Sequence, residues 1–141
     1  TLTIFEKQKC QPFSGRDTAT DKDGNGMGGI RLPDITVPLG TYQGFNPRKP
    51  EANAPFYLAG HTGSFWPFAA TKEERIKNGD PRLSLEERYD GKESYVKNVI
   101  IETNKLLGDR LLTQEDADRI IADAKAKNWP PVMLETWPFW K

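Results

Sequence analysis

The sequence predicts a mixed chain of the α/β class, with few short strands and long loops over residues 1–70, about four helices over 71–127, and an extended Trp/Pro-rich tail over 128–141. Three observations predict it. Gly and Pro are frequent in the first half, around short runs rich in β-branched residues. The second half carries helix-start signatures followed by apolar residues spaced i, i+3, i+4, i+7. Residues 129–140 then hold three tryptophans and three prolines in twelve positions, a composition a helix cannot accept.

Taken in order, Leu2 to Glu6 alternates as a strand does, and Ile35 to Leu39 is a second strand segment. Pro33 and Pro38 place the latter at a sheet edge or in extended loop. Residues 40–64 carry three prolines and four glycines and predict little regular structure. Thr71-Lys72-Glu73-Glu74 is a capping box, and Asn78-Gly79 followed by Pro81 stops the helix it opens. Ser84-Leu85-Glu86-Glu87 opens a second helix in the same way. The third helix is expected from Lys92 to Leu107, with Val96, Val99, Ile100, Thr103 and Leu107 on one face and Gly108 as its C′ residue.

Thr113-Gln114-Glu115-Asp116 opens the fourth helix, which should bury Ala117, Ile120, Ile121 and Ala124 and expose Asp118, Arg119, Asp123 and Lys125. The short link through Leu111 and Leu112 predicts antiparallel pairing of the last two helices, with Val99, Ile100, Leu107, Ile120 and Ile121 in one cluster. The tail is too apolar to be a solvated end. It should lie against a groove, with Trp137 and Trp140 buried on protein.

Composition narrows the function classes. Of 141 residues, 36% are hydrophobic and 28% charged, so the chain can bury only a small core and much of it must be surface or contact. Four tryptophans, four tyrosines and seven phenylalanines compensate in part. Twenty basic residues balance twenty acidic ones, so no nucleic acid or anionic lipid partner is expected. The run Phe65-Trp66-Pro67-Phe68-Ala69-Ala70 is too short to span a bilayer, and a soluble chain is expected, whether cytoplasmic, periplasmic or secreted. Cys10 is the single cysteine, which leaves no internal disulfide and no Cys-based zinc site. The chain opens at Thr1 without a methionine or an apolar leader, and the expectation is a chain derived from something longer. Thr1 could act as an N-terminal nucleophile, but Thr1-Leu2-Thr3-Ile4-Phe5 reads as ordinary strand.

Several motifs invite chemistry. Asp21-Lys22-Asp23-Gly24-Asn25-Gly26 imitates half a calcium loop, but Leu32 stands where the bidentate carboxylate belongs, so a polar turn is expected with no metal. His61, in Gly60-His61-Thr62-Gly63-Ser64, is the single histidine and the weak candidate for a catalytic base; the bland reading is a loop histidine bonded to backbone. Phe65, Trp66 and Phe68 could line an apolar pocket or fill a core. Glu73-Glu74 and Glu86-Glu87 occupy first helical turns, where they favour the helix dipole and do not face each other as an acid/base pair. The Gly-x-Ser-x-Gly nucleophile elbow is absent from all 141 residues, and no glycine-rich phosphate loop occurs.

One resemblance organises these fragments. Asp23-Gly24-Asn25, Gly29-Ile30-Arg31-Leu32-Pro33 and the run Val37 to Asn46 resemble the C-terminal region of a bacterial "alpha/beta hydrolase domain" family. So do Leu58-Ala59-Gly60, Gly63-Ser64-Phe65, Pro67-Phe68-Ala69, Thr71, Glu74-Arg75, Gly79-Asp80-Pro81-Arg82, Ser84 to Tyr89, and Tyr95. The resembling stretch covers roughly residues 21–127 in one order; the first twenty residues and the tail match nothing in it.

The resemblance implies the C-terminal part of an α/β-hydrolase-like fold, ester hydrolysis, no cofactor, and a serine nucleophile and histidine upstream of this stretch. It makes residues 1–70 a segment packing on the parent core and assigns no catalytic residue to this chain. His61, Ser64, Phe65 and Trp66 are expected to contact a small-molecule ester substrate. The implied partner is the remainder of the hydrolase chain or a companion catalytic chain. The alternative is a non-catalytic interaction module or small subunit of a larger assembly, which the aromatic tail suggests.

Overall fold

The computed structural model describes residues 18–46 and 63–131. The strand expected at Leu2–Glu6, together with Thr1, Cys10, His61, Trp137 and Trp140, lies outside the described residues. In order, the elements are α1 (Pro33–Thr36), β1 (Gly40–Gln43), β2 (Ser64–Pro67), α2 (Lys72–Asn78), α3 (Leu85–Arg88), α4 (Gly91–Gly108) and α5 (Gln114–Ala126).

The expected strand at Ile35–Leu39 is replaced by a helical turn, α1, and the strand begins at Gly40. Pro33 occupies the first helical position, where its fixed φ suits a helix and its missing N–H is not needed. Asp34 follows in the first turn, where the helix dipole favours a carboxylate. β1 and the first residue of β2 fall in the stretch expected to be irregular. β1 and β2 pair antiparallel with Gly40 opposite Pro67 and Gln43 opposite Ser64. Gly40 is required there, because a Cβ would run into the Trp66 carbonyl and the Phe65 ring.

The starts of α2, α3 and α5 are as the sequence predicts. The Thr71 hydroxyl accepts from the Glu74 N–H at 3.1 Å, and the Glu74 carboxylate reaches back to the Ala70 N–H at 2.9 Å. Ser84 and Glu87 satisfy each other's backbone N–H groups in a complete capping box. Thr113 accepts from the Asp116 N–H. Gly79 closes α2 in the left-handed region, at φ 65°. Gly91, at φ 85°, turns the chain sharply between α3 and α4.

α4 corrects two expectations. It runs through Gly108, and its C′ residue is Arg110, left-handed at φ 59°. The Leu111 N–H bonds to the Leu106 carbonyl and the Arg110 N–H to that of Leu107, a Schellman closure. Its buried stripe is Tyr95, Val99, Thr103 and Leu106, while Val96, Ile100 and Leu107 are half-buried. On α5, Ala117 and Ala124 are buried, Ile120 and Ile121 are half-buried, and Asp118, Arg119, Asp123 and Lys125 are exposed. Tyr95 and Val99 from early α4 line one hollow with Asp123 and Ala124 from late α5, so the two helices run antiparallel.

The core gathers Val37, Leu39, Phe68, Leu85, Tyr89, Tyr95, Val99 and Ala124, with Phe65, Val96, Ile120 and Trp129 packed against it. Ile100, Leu107 and Ile121 therefore fall outside the cluster in which they were expected. Aromatic geometry explains the rotation of α4. Tyr95 stacks on Trp129 with centroids 5.5 Å apart and meets Tyr89 edge-on at the same distance.

Candidate functional site

The densest polar constellation among the described residues lies where the loop after α2 meets the β1–β2 hairpin. Gly79 turns the chain out of the helix and delivers Asp80 and Arg82 into the interior, each about 4% exposed. The Asp80 carboxylate accepts from Arg82 Nε at 3.0 Å and Nη2 at 2.7 Å. Arg82 Nη1 donates to Thr41 Oγ1 at 2.8 Å and the Trp66 carbonyl at 2.9 Å, and Nη2 to the Pro67 carbonyl at 3.1 Å. A guanidinium has five N–H donors, and these bonds use five. Thr41 passes the link on, its hydroxyl donating to the Asp23 carbonyl.

A second ion pair stands beside the first. Arg88, at the end of α3, forks onto both carboxylate oxygens of Asp23 and donates from Nε to the Leu83 carbonyl at 2.9 Å. Its guanidinium carbon lies 3.9 Å from the Phe68 ring centroid, and that of Arg82 lies 5.1 Å away. Asp21 organises the loop before it. Its carboxylate accepts from the Asp23 and Asn25 N–H groups at 3.0 Å each and from Arg31 at 2.9 Å. Gly24 turns the chain between Asp23 and Asn25 with a positive φ of 81°.

Asn25 is fully buried and not part of a solvated turn. It donates to the Gly40 carbonyl at 3.1 Å and accepts from the Tyr42 N–H at 2.8 Å, which pins the loop to β1. The carboxylates of the calcium-like motif are thus engaged by backbone N–H groups and arginines. The expected polar turn is present, but it is a structural joint.

Ser64, Phe65 and Trp66 sit together on β2. The Ser64 hydroxyl donates to the Phe45 carbonyl at 2.7 Å and accepts from Trp66 Nε1 at 2.9 Å. The Trp66 side chain is buried, and half-buried Phe65 packs on Tyr42 with centroids 4.7 Å apart. Phe45, just past β1 at the connected end of the hairpin, is 47% exposed, while Tyr42 and Phe65, paired across the strands, lie on the face opposite Ser64 and Trp66. Phe68 is core.

Burial raises the Tyr42 phenol well above its ordinary value, reinforced by the Asp34 carboxylate. The same two causes push Tyr95 up to about 12. Burial also raises Tyr89, whose hydroxyl donates to the Pro38 carbonyl at 2.8 Å. All three stay protonated near neutral pH. Glu87 moves the other way: Arg75, forked onto its carboxylate at 2.7 and 3.1 Å, holds it near 2, aided by the Ser84 N–H.

Sequence reasoning did not find Asp23, Asn25, Asp80, Arg82 and Arg88 as a unit. Their only signal was that all five fall within the residues carrying the resemblance, since charged side chains joined across 41 and 65 positions leave no periodicity.

A small antiparallel sheet sharing one core with α3, α4 and α5 defines a partial α/β fold. The family model of the alpha/beta hydrolase domain matches residues 4–122, most of the chain, and the protein belongs to that family. The match begins well before residue 21, so the N-terminal segment belongs to the family region, and it stops before the aromatic tail. No curated protein and no solved structure matched the chain.

Proposed function

We propose that these residues form the non-nucleophile part of a serine carboxylic ester hydrolase, bracing the fold and supplying a wall of the substrate pocket. The carrying observation is family membership over residues 4–122 in a sequence without a Gly-x-Ser-x-Gly elbow. The bracing role rests on the Asp80–Arg82 and Asp23–Arg88 pairs, whose donors are used within the fold and are not free for substrate. The wall is the aromatic group of Tyr42, Phe45 and Phe65, with His61, Ser64 and Trp66 in the same chain segment. An apolar surface with few polar groups suits the acyl or alcohol part of an ester. The nucleophile and its histidine come from the remainder of the hydrolase or a companion chain. Met27 and Ile30, 54% and 59% exposed, offer apolar surface to it.

Labelling with a fluorophosphonate and turnover of p-nitrophenyl esters test this reading. The 141-residue chain alone should neither label nor turn over ester, and the protein carrying an upstream Gly-x-Ser-x-Gly should do both. Stoichiometric labelling of the 141-residue chain by itself would sink the proposal. In the active protein, His61→Ala should raise KM with little change in kcat, as expected when binding equal in ground and transition states is lost.

A further inference from the structure

An apolar groove of about 460 Å³ runs along the outer side of α4, floored by Val96, Ile100 and Ile101 and edged by Lys92, Lys97 and Lys125, with Glu93 the one acid on its rim. It lies apart from the hairpin edge and from both buried ion pairs. We propose that the chain's own terminal segment, residues 132–141, occupies this groove, with Trp137 and Trp140 as its anchors.

Four observations carry the assignment, and none depends on the hydrolase reading. Trp129 stacks on Tyr95, which seats the chain entering the segment against the core side of α4, and Lys125, four residues earlier, lines the groove. The groove spans Lys92 to Ile101, about 14 Å along a helix rising 1.5 Å per residue. Ten further residues can reach about 33 Å, more than the groove needs. The segment offers Val132, Met133, Leu134, Trp137, Phe139 and Trp140 as apolar side chains that water would solvate poorly. Charge is compatible. Glu135, the segment's only acid, would meet a rim of three lysines, whose ammonium groups also suit indole faces. Lys141, the segment's only base, could meet Glu93.

Incorporating 5-fluorotryptophan into the full 141-residue chain tests this by fluorine NMR, with the Trp137 and Trp140 signals assigned by Trp137→Phe and Trp140→Phe. Both signals should lie away from the position of free 5-fluorotryptophan and show little H2O/D2O shift. Ile101→Asp should return both to the solvated position while the Trp66 signal stays in place. Ile101 is 53% exposed, so the substitution leaves the core intact. Lys125→Glu, on the facing rim, should produce the same loss in part, and Ile76→Asp on α2 should produce none. Signals that are solvated from the outset would overturn the proposal. So would shielding that survives both groove substitutions, or shielding that disappears on dilution, which would assign the cover to a second copy.

Discussion

Arg82 holds together groups far apart in sequence. Its guanidinium spans Asp80, Thr41 and the carbonyls of two β2 residues, in a site where the ion-pair side chains are 3% exposed. Removing one partner of such a pair leaves a buried charge behind, at about 3 to 5 kcal/mol. Arg82→Met should therefore lower unfolding free energy by about that amount in urea melts, and Arg82→Lys should not restore it, because an ammonium cannot fork. A loss under about 1 kcal/mol would show that water replaces the arginine. Glu87 supplies a pH readout. Its carboxyl falls from the model-compound 4.5 to about 2 beside Arg75 and Ser84. A depressed folded value means stability is fully present above about 4.5 and is lost as pH falls toward 2. Thermal melts across that window should show the loss, and Glu87→Gln should flatten it. The capping role of Glu87 was legible in Ser84-Leu85-Glu86-Glu87; its pairing with Arg75, on another helix, was not.

At the scale of elements, the C-terminus of α4 is open to improvement. Arg110 holds the left-handed C′ position that closes the Schellman hydrogen bonds, at φ 59°. A Cβ in that region costs about 1 to 2 kcal/mol that glycine avoids. Part of that gain returns as glycine's greater unfolded-state entropy. Arg110→Gly should raise stability by about 0.5 to 1 kcal/mol, seen as a higher melting temperature. An unchanged or lower value would mean that the Arg110 side chain makes a compensating contact. The misplacement of this cap is instructive: Gly108 offered the ordinary signal, yet the helix includes it and the left-handed position falls two residues later, at Arg110. Helix starts were read correctly because each depends on a hydroxyl and an amide three residues apart. The buried stripe of α4 was read about one residue out of phase. Tyr95, left out of the apolar count, is drawn inward by Tyr89 and Trp129. β1 escaped notice because Gly40-Thr41-Tyr42-Gln43 gains its order from Asn25 and from β2, both distant in sequence.

Across the whole molecule, the hairpin and the helices are joined by hydrogen bonds as well as by apolar contact. The Leu85 N–H of α3 donates to the Ala69 carbonyl at 2.9 Å and the Glu86 N–H to that of Ala70 at 3.1 Å, just past β2. Leu85, 2% exposed, sits in the same cluster as Leu39, Phe68 and Val99 and so touches the fate of both halves. This predicts one cooperative unit. Leu85→Ala removes buried methyl groups and should cost about 2 to 5 kcal/mol. In native-state hydrogen exchange the cost should appear equally at the Tyr42 amide on β1 and at the Leu106 amide on α4, since a single global opening governs both. The hairpin is where the two possible outcomes diverge. If α4 loses protection while Tyr42 keeps it, the Asn25–Tyr42 joint and the Arg82 clamp hold the hairpin as a separate foldon. The ion pairs would then be the brace for that part alone, and the aromatic group at Phe45 and Phe65 would be carried on a unit free to open independently of the helices.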